Sequence, residues 1–416
     1  MRDNLTTERP TFVTHLECGL TGERHEADRL WNLSRAGKPL LVRYDLAGVK
    51  AALTKDDLTA RAPDLWRYRE LLPVRKAVNI VSLGETMTPI ITAPRSAKAI
   101  GAGEILVKDE GRLPTGSFKA RGIAVAVSMA KELGVTRIAM PTAGNAGAAL
   151  AAYGARAGIK AHVFYPDDAP SITVSEIPLF GGHGYAVNGL ITDLGPLVEK
   201  GVGPANWFSL ATLKEPYRVE GKKTMGFELA EQFTWDLPDV IFYPTGGGTG
   251  LIGMWKAFAE MEALGWIGPK RPRMVAVQAR TCAPIVRAFE QGTQFAEPWR
   301  DGHTSIPGVR VPSTIGDFLI LNVLRESKGF AIAIDDADAE PARSAMAKDD
   351  GIHLSPEGAA TFVACRQAIA EGCVSKDERV VLFNCAAGLK YPTTFTPQHI
   401  DRHQPIDYAA LVRNAS

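Results

Sequence analysis

The lysine best suited to chemistry in this chain is Lys119, in the segment KDEGRLPTGSFKARG. The segment predicts the end of a strand, a Pro/Gly turn and the start of a helix, with Ser117 as the N-cap and Lys119 in the first turn. A cation at a helix N-terminus opposes the macrodipole, and this field lowers the pKa of the amine. A lowered pKa suits a lysine that forms an imine. The alternative is a surface lysine extending from a capped helix.

A second segment, PTAGNAG, connects a predicted strand to a predicted helix at residues 141–147. Backbone N–H groups and the Thr142 hydroxyl converge at such a helix start, which suits a carboxylate. The Asn145 amide can donate a hydrogen bond to a phenolate-like oxygen. The competing interpretation is an ordinary βα turn with a tight glycine.

A third segment, PTGGGTGLIG at residues 244–253, has four glycines in five positions and can bind a phosphate through backbone N–H groups. It also contains the G-x-G-x-x-G spacing, so a dinucleotide site is an alternative. Such a site requires an acidic residue about 20 positions further on, at the end of the next strand. That strand ends in Gln278 and Arg280, which disfavours NAD and leaves only Arg280 in support of NADP. A single phosphate is the better interpretation.

A fourth segment, FNCAAGLKYP, follows the apolar strand predicted at residues 380–383. A small polar side chain at the carboxyl end of a strand faces the ligand edge of a parallel sheet, which favours Cys385 as a ligand contact. A buried structural cysteine is the alternative.

The elements that must position these segments follow a regular alternation. Between residues 104 and 280, short apolar runs alternate with helical periods of about 12 residues, which predicts βαβ units around parallel sheets and an α/β fold. The first 80 residues differ from this pattern. Their apolar side chains, notably Trp31, Trp66, Tyr68 and Leu71, predict an extension that docks on the main body.

The length, net charge and cysteine content of the chain exclude several classes of protein. A chain of 416 residues predicts two or three domains at about 150 residues each. The net charge of +1 argues against nucleic acid, a membrane surface or a polyanionic partner. No run approaches the roughly 18 apolar residues of a membrane span, and the polar N-terminus is not a secretory signal. Five cysteines without a CxxC pair are typical of a reducing cytoplasm, so we expect a cytoplasmic enzyme.

Together the four segments resemble the fold-type II pyridoxal-phosphate enzymes, a group that contains threonine synthases, threonine and serine dehydratases and cysteine synthases. The likeness is strongest to the threonine synthases and covers roughly residues 80–395. The resemblance implies the tryptophan synthase β-like architecture, with two parallel-sheet domains and an N-terminal extension. We expect the extension at 1–84, a large cofactor-binding domain at 85–125 and 230–416, and a small mobile domain at 126–229.

The same resemblance implies roles for individual residues. Lys119 is the Schiff-base lysine, and Asn145 lies beside the 3′ oxygen of pyridoxal 5′-phosphate. The other residues that it assigns to the cofactor are Phe118, Gly246, Gly247, Gly248, Thr249, Gly250 and Cys385. The residues that it assigns to the substrate are Thr142, Ala143, Gly144, Asn145 and Arg218.

The chain departs from the family pattern in several places. Leu113 replaces the usual Asn before PTGSFK, and Cys385 replaces a threonine that meets the pyridine nitrogen. A thiol there leaves the ring neutral, which favours elimination and replacement over transamination. Some relatives carry zinc-ribbon cysteines near the N-terminus, but only Cys18 stands there in this chain. Since a structural zinc needs four ligands, we expect no metal.

Arg218 corresponds to the arginine that holds the substrate phosphate in the family. Its guanidinium can contact two phosphate oxygens, or it can simply pair with Glu220 at a helix start. The resemblance therefore implies a homodimer that converts O-phospho-L-homoserine and water to L-threonine and phosphate. The loop GGGTG is the one found in dehydratases, so a threonine or serine dehydratase is an alternative. Others are a cysteate synthase-like enzyme that acts on O-phosphoserine and a non-catalytic sensor with the cofactor fold.

Overall fold

The larger of the two main sheets is mostly parallel and has apolar, buried strands at its centre. A computed structural model describes residues 9–142, 144–189, 191–393, 396–397 and 399–413. Its larger sheet contains six strands: β4 (Ile90–Thr92), β5 (Glu104–Asp109), β10 (Val240–Pro244), β11 (Arg273–Ala279), β12 (Phe330–Ile334) and β13 (Arg379–Asn384). Their order is β12-β11-β10-β13-β5-β4. All neighbours are parallel except β4 and β5, and every residue of β10 is buried, as expected for a parallel sheet covered by helices.

The second sheet is smaller and wholly parallel. Its strands are β6 (Arg137–Pro141), β7 (Lys160–Pro166), β8 (His183–Val187) and β9 (Phe208–Ser209). They lie in the order β8-β7-β6-β9. All four strands fall within 126–229, whereas those of the larger sheet fall within 85–125 and 230–416. Where the domains divide, and whether the smaller one moves, stays a prediction.

The N-terminal region forms an antiparallel sheet of its own. It consists of β1 (Val13–Cys18), β2 (Arg24–His25) and β3 (Leu40–Tyr44), in the order β2-β1-β3. The side chains of Trp66, Tyr68 and Leu71 are 0 % exposed. The Tyr44 hydroxyl donates to Glu220 at 2.7 Å, a contact to a distant part of the chain. The N-terminal region therefore lies against the main body through both apolar and polar contacts.

Helices follow the strands and cover the sheets. The described α-helices are α1 (Leu46–Ala52), α2 (Pro94–Ala99), α3 (Lys119–Glu132), α4 (Asn145–Ala157), α5 (Ser171–Leu179), α6 (Ile191–Lys200), α7 (Val202–Ala205), α8 (Tyr217–Gln232), α9 (Thr249–Leu264), α10 (Pro284–Glu290), α11 (Asp317–Glu326), α12 (Ala339–Asp350), α13 (Pro356–Ala370) and α14 (Tyr408–Arg413). Short 3₁₀ helices occur at Asp56–Ala60, Leu65–Leu71, Ala77–Asn79, Glu110–Arg112, Pro114–Gly116, Pro307–Val309, Asp336–Asp338 and Gly388–Lys390. None of the described helices is long and apolar enough to cross a membrane.

A buried charged cluster fixes helix α3 beneath the site. Arg121 pairs with Glu110 at 2.6 Å and also with Glu228 of α8, and Lys108 of β5 pairs with Glu228 at 3.0 Å. All four side chains are fully buried. Removing one partner of a buried pair leaves an uncompensated charge, so the cluster holds β5, α3 and α8 in one arrangement.

Candidate active site

A cleft lies where the segments that follow β5, β6, β10 and β13 come together. Its volume is about 1000 Å³, including the part that is open to solvent. Ligands bind at the carboxyl ends of strands in open α/β sheets, and this cleft is such a place. Every predicted site residue that the structure describes lines it, namely Phe118, Lys119, Thr142, Gly144, Asn145, Arg218, Gly246, Gly247, Gly248, Thr249, Gly250 and Cys385. Ala143 lies outside the described residues.

Lys119 is the first residue of α3 and is half-buried in the cleft. Its Nζ lies 3.8 Å from the centre of the Phe118 ring. Burial is the main cause that lowers the pKa of Lys119 to about 8; Arg218 also lowers it, whereas Cys385 and Glu357 oppose the change. An amine with this pKa is partly neutral near neutral pH, as a nucleophile or a base must be.

The prediction that Ser117 caps this helix is wrong. The N-cap residue is Phe118, which has helical backbone angles and no side-chain cap. Ser117 is extended, with φ −162° and ψ 159°, and forms an isolated β-bridge with Ala386. Its Oγ is buried without a hydrogen-bond partner among the described residues. The pairing with the segment after β13 therefore overrides the local N-cap preference.

A second amine lies directly behind Phe118. Lys222 of α8 is fully buried, and its Nζ donates to the carbonyl oxygen of Phe118 and lies 4.2 Å from the ring centre. Burial, then the neighbouring cations Lys119 and Arg218, hold the pKa of Lys222 well below its usual value. The ring of Phe118 thus contacts two amines, of which only Lys119 lines the cleft.

The glycine loop joins β10 to α9 and faces the cleft. Gly248 has φ +76°, and a Cβ there would lie 2.3 Å from Ile320. A Cβ on Gly250 would lie 2.0 Å from the Tyr243 hydroxyl. Both positions therefore exclude a side chain. A loop of this kind at a helix N-terminus leaves backbone N–H groups open to an anion, which suits the predicted phosphate site.

The segment after β6 forms a second helix start in the cleft. Gly144 precedes α4 with φ +158°, and its backbone N–H donates to the Thr142 hydroxyl at 3.1 Å. Asn145 is the first residue of α4, and its Oδ1 is buried without a hydrogen-bond partner among the described residues. A helix start with an unused amide oxygen suits a polar ligand.

Arg218 is 2 % exposed, and within the described part of the chain its guanidinium donates hydrogen bonds only to neutral oxygens. Nη1 donates to Leu210 O at 2.9 Å and to Thr212 Oγ1 at 3.2 Å, while Nε is buried without a partner among the described residues. The alternative that Arg218 pairs with Glu220 is wrong. Glu220 instead pairs with two buried lysines of α8 and α9, at 2.7 and 2.9 Å.

Cys385 follows β13 and is 4 % exposed. Burial is the main cause that raises the pKa of its thiol to about 12. The thiol is therefore neutral at physiological pH, as the prediction for a group beside a neutral pyridine nitrogen requires. It lines the cleft, so the structure favours a ligand contact over a purely structural cysteine.

Sequence reasoning did not assign several residues that line the cleft. Tyr243 precedes the glycine loop, Tyr391 is the next-to-last residue of the fourth segment, and Glu357 is the second residue of α13. Arg310, also in the cleft, pairs with Asp168 at 2.9 Å. The fourth segment contains Tyr391, and the start of α13 contains Glu357, but neither stretch of sequence shows which side chains lie toward the cleft.

Comparison with known proteins identifies the family. A family model described as pyridoxal-phosphate dependent enzyme matches residues 81–386. The chain belongs to this family of pyridoxal-phosphate-dependent enzymes. It is 32 % identical over 376 residues to threonine synthase of Methanocaldococcus jannaschii, covering 90 % of this chain and 92 % of that one. It is 33 % identical over 382 residues to threonine synthase of Methanosarcina acetivorans, covering 91 % and 93 %.

Solved structures of other pyridoxal-phosphate-dependent enzymes show the same fold. Maize serine racemase has a TM-score of 0.62 at 20 % identity, covering 85 % of this chain and 97 % of that one. Diaminopropionate ammonia lyase from Escherichia coli has a TM-score of 0.63 at 19 % identity, covering 74 % and 85 %. The predicted fold-type II architecture with parallel sheets is confirmed.

The residues of the cleft fit pyridoxal phosphate. Lys119 offers an amine with a lowered pKa, the loop at Gly246–Gly250 offers an anion site, and Asn145 and Cys385 offer neutral polar groups. When bound, pyridoxal phosphate supplies an aldehyde for an amine and a conjugated ring that delocalises the electrons left after a C–H bond breaks. The family match makes the chain a pyridoxal-phosphate-dependent lyase and overturns both the NADP-binding and the sensor alternatives.

Proposed function

We propose that this enzyme converts O-phospho-L-homoserine and water to L-threonine and phosphate. The observation that carries the proposal is the buried guanidinium of Arg218, which lines the cleft with Lys119 and has no carboxylate in hydrogen-bond contact among the described residues. Glu215 accepts from the Arg218 backbone N–H at 3.1 Å, but burial raises the pKa of Glu215 to about 7, so this carboxyl compensates the buried cation only in part. An arginine can contact two phosphate oxygens, which suits an anionic substrate. The two threonine synthases that align over nine-tenths of the chain support the same reaction.

Lys119 carries the proton transfers in this proposal. Because the pKa of its amine is about 8, Nζ can take the proton from the substrate α-carbon and hold it. The same Nζ then takes a proton from the β-carbon as phosphate leaves the γ-carbon, and returns one proton to the γ-carbon. Water gives its hydroxyl to the β-carbon and its remaining proton to the released phosphate, and Nζ returns the last proton to the α-carbon. Burial of Lys119 keeps other water away from these carbons.

The two ends of the substrate bind to different elements. The start of α4, with Thr142, Gly144 and Asn145, receives the substrate carboxylate through N–H and hydroxyl groups. Arg218 receives the phosphate. Binding at both ends holds the intervening carbons beside Lys119. This fixed orientation raises the rate of the chemical step.

The experiment that tests this function is a parallel product analysis of the holoenzyme. O-phosphohomoserine, O-phosphoserine, serine and threonine are supplied separately, and phosphate, threonine and keto acids are measured. We expect equal amounts of threonine and phosphate from O-phosphohomoserine. A keto acid from serine or threonine, without threonine formation, would establish the dehydratase alternative, whereas sulfite-dependent use of O-phosphoserine would indicate the β-replacement alternative. That the enzyme is a cytoplasmic homodimer stays a prediction.

A further inference from the structure

A chain of hydrogen bonds crosses the cleft from α4 to α13. Asn145 Nδ2 donates to the Tyr391 hydroxyl at 2.9 Å, and that hydroxyl donates to Glu357 Oε1 at 3.3 Å. The backbone N–H of Gly308 donates to the same carboxylate oxygen at 2.7 Å. Asn145 follows a strand of the smaller sheet, whereas Tyr391 follows a strand of the larger one. The chain of bonds therefore joins the two sides of the cleft.

Glu357 sets the direction of these hydrogen bonds. A carboxylate oxygen that already receives the Gly308 N–H acts as an acceptor, so the Tyr391 hydroxyl must give it its single proton. The Tyr391 oxygen then serves as an acceptor, and Asn145 must turn its NH₂ group, not its Oδ1, toward it. An amide NH₂ has two protons, so Asn145 keeps one N–H for another acceptor in the cleft.

The surroundings hold Tyr391 in place for this role. Arg343 Nη2 donates to the Tyr391 carbonyl oxygen at 2.8 Å. The preceding Lys390 donates to Thr115 O at 2.9 Å and to Glu176 at 2.6 Å. Burial, with Glu357 as the second cause, keeps the pKa of Tyr391 well above its usual value, so the phenol retains the proton that it donates.

We propose that Tyr391 and Glu357 are positioning residues that keep an N–H of Asn145 available to the phenolic oxygen of bound pyridoxal phosphate. The proposal rests on the cofactor contact assigned to Asn145 and is independent of the substrate. The proposal also explains why a buried glutamate lies in the cleft. Glu357 is 4 % exposed, and among the described residues it forms no ion pair with a lysine or an arginine.

The test measures the dissociation constant of pyridoxal phosphate by titrating the apoproteins of wild type, Y391F, E357Q, N145A and the double variant Y391F/N145A. We expect each single change to weaken cofactor binding about tenfold, the scale of one hydrogen bond to a charged group. Because Tyr391 acts through Asn145, the double variant should also be weakened only about tenfold, without the multiplication expected of independent sites. The visible absorbance maximum of the bound cofactor should move in the same direction in Y391F and N145A.

The matched control is Y153F, which removes another buried tyrosine–glutamate hydrogen bond, to Glu85, outside the cleft. We expect a lower melting temperature for Y153F, with unchanged cofactor affinity and absorbance. Affinity of both Y391F and E357Q within about twofold of wild type would overturn the proposal, as would a multiplicative loss in the double variant. Since no substrate is present, these outcomes are separate from a failure of the proposed threonine-forming reaction.

Discussion

The backbone N–H of Phe118 donates a hydrogen bond of 3.0 Å to the carbonyl oxygen of Cys385. This contact joins the turn before Lys119 to the end of β13, two segments that are distant in the chain. It exists because β5 and β13 are parallel neighbours in which Asp109 lies opposite Asn384. Sheet register therefore brings the segments that carry the Lys119 amine and the Cys385 thiol together in the cleft.

Arg218 should govern the use of a phosphorylated substrate. We expect R218K to lower kcat/KM for O-phosphohomoserine by about 10- to 100-fold, because a charge-assisted, two-pronged contact contributes about 1.5–3 kcal/mol. Steady-state phosphate release measures the effect. The control is R280K, since Arg280 is exposed and pairs with Asp335 outside the cleft. An unchanged kcat/KM in R218K would contradict the proposal that Arg218 binds the substrate phosphate.

The lowered pKa of Lys119 should appear in cofactor incorporation. Only the neutral amine attacks an aldehyde, so the rate at which apoprotein takes up pyridoxal phosphate should rise with pH around a midpoint of about 8. Stopped-flow absorbance measures this rate, and K119A should give no reducible imine. A midpoint near 10.5, the ordinary value for lysine, would contradict the burial of this amine.

Cys373 and Cys385 should react with iodoacetamide at very different rates. Cys373 is exposed, whereas Cys385 is buried with a thiol pKa of about 12, and alkylation requires the thiolate. We expect native protein to be labelled at Cys373 and protected at Cys385, as mass spectrometry of peptides can show. Both should react in denaturant, which serves as the control. Rapid labelling of Cys385 in the native protein would contradict the burial of its thiol in the cleft.

The glycine loop should not tolerate a side chain at Gly250. A Cβ there would lie 2.0 Å from the Tyr243 hydroxyl, so G250A should destabilise the protein by about 1–3 kcal/mol and weaken cofactor binding. Urea denaturation and cofactor titration measure the two effects. G268A is the matched control, because nothing lies within 4 Å of a Cβ at Gly268. It should change stability by less than about 0.5 kcal/mol, and an equal loss in both variants would rule out the close approach as the cause.

Sequence and structure agree most closely where the chemistry is local. Lys119 and the loop Gly246–Gly250 each follow a strand and begin a helix, as their turn residues predict. The predicted place of Lys119 in the first turn of a helix is confirmed, since Lys119 is the first residue of α3. Such patterns can be interpreted without a fold, because backbone N–H groups and a strand–turn–helix order depend on neighbouring residues.

Local sequence patterns did not predict the contacts between segments that are distant in the chain. Ser117 pairs with Ala386 and does not cap α3, and Glu220 pairs with lysines of α8 and α9, leaving Arg218 to the cleft. No local sequence pattern around Lys222 predicts that its amine donates to the carbonyl oxygen of Phe118. Each of these outcomes depends on which helices pack together, and helix packing is decided by the whole core.

The sequence by itself determined the parallel βα units and predicted an imine-forming lysine and a glycine loop for a phosphate, because residue type and spacing encode such features directly. Only the tertiary structure decided the pKa of Lys119, the neutral hydrogen-bond partners of the Arg218 guanidinium and the hydrogen bonds that link Asn145, Tyr391 and Glu357. The physical reason is that burial and hydrogen-bond partners are properties of a three-dimensional environment. Segments that lie far apart in the chain create that environment by meeting at the edges of the two sheets.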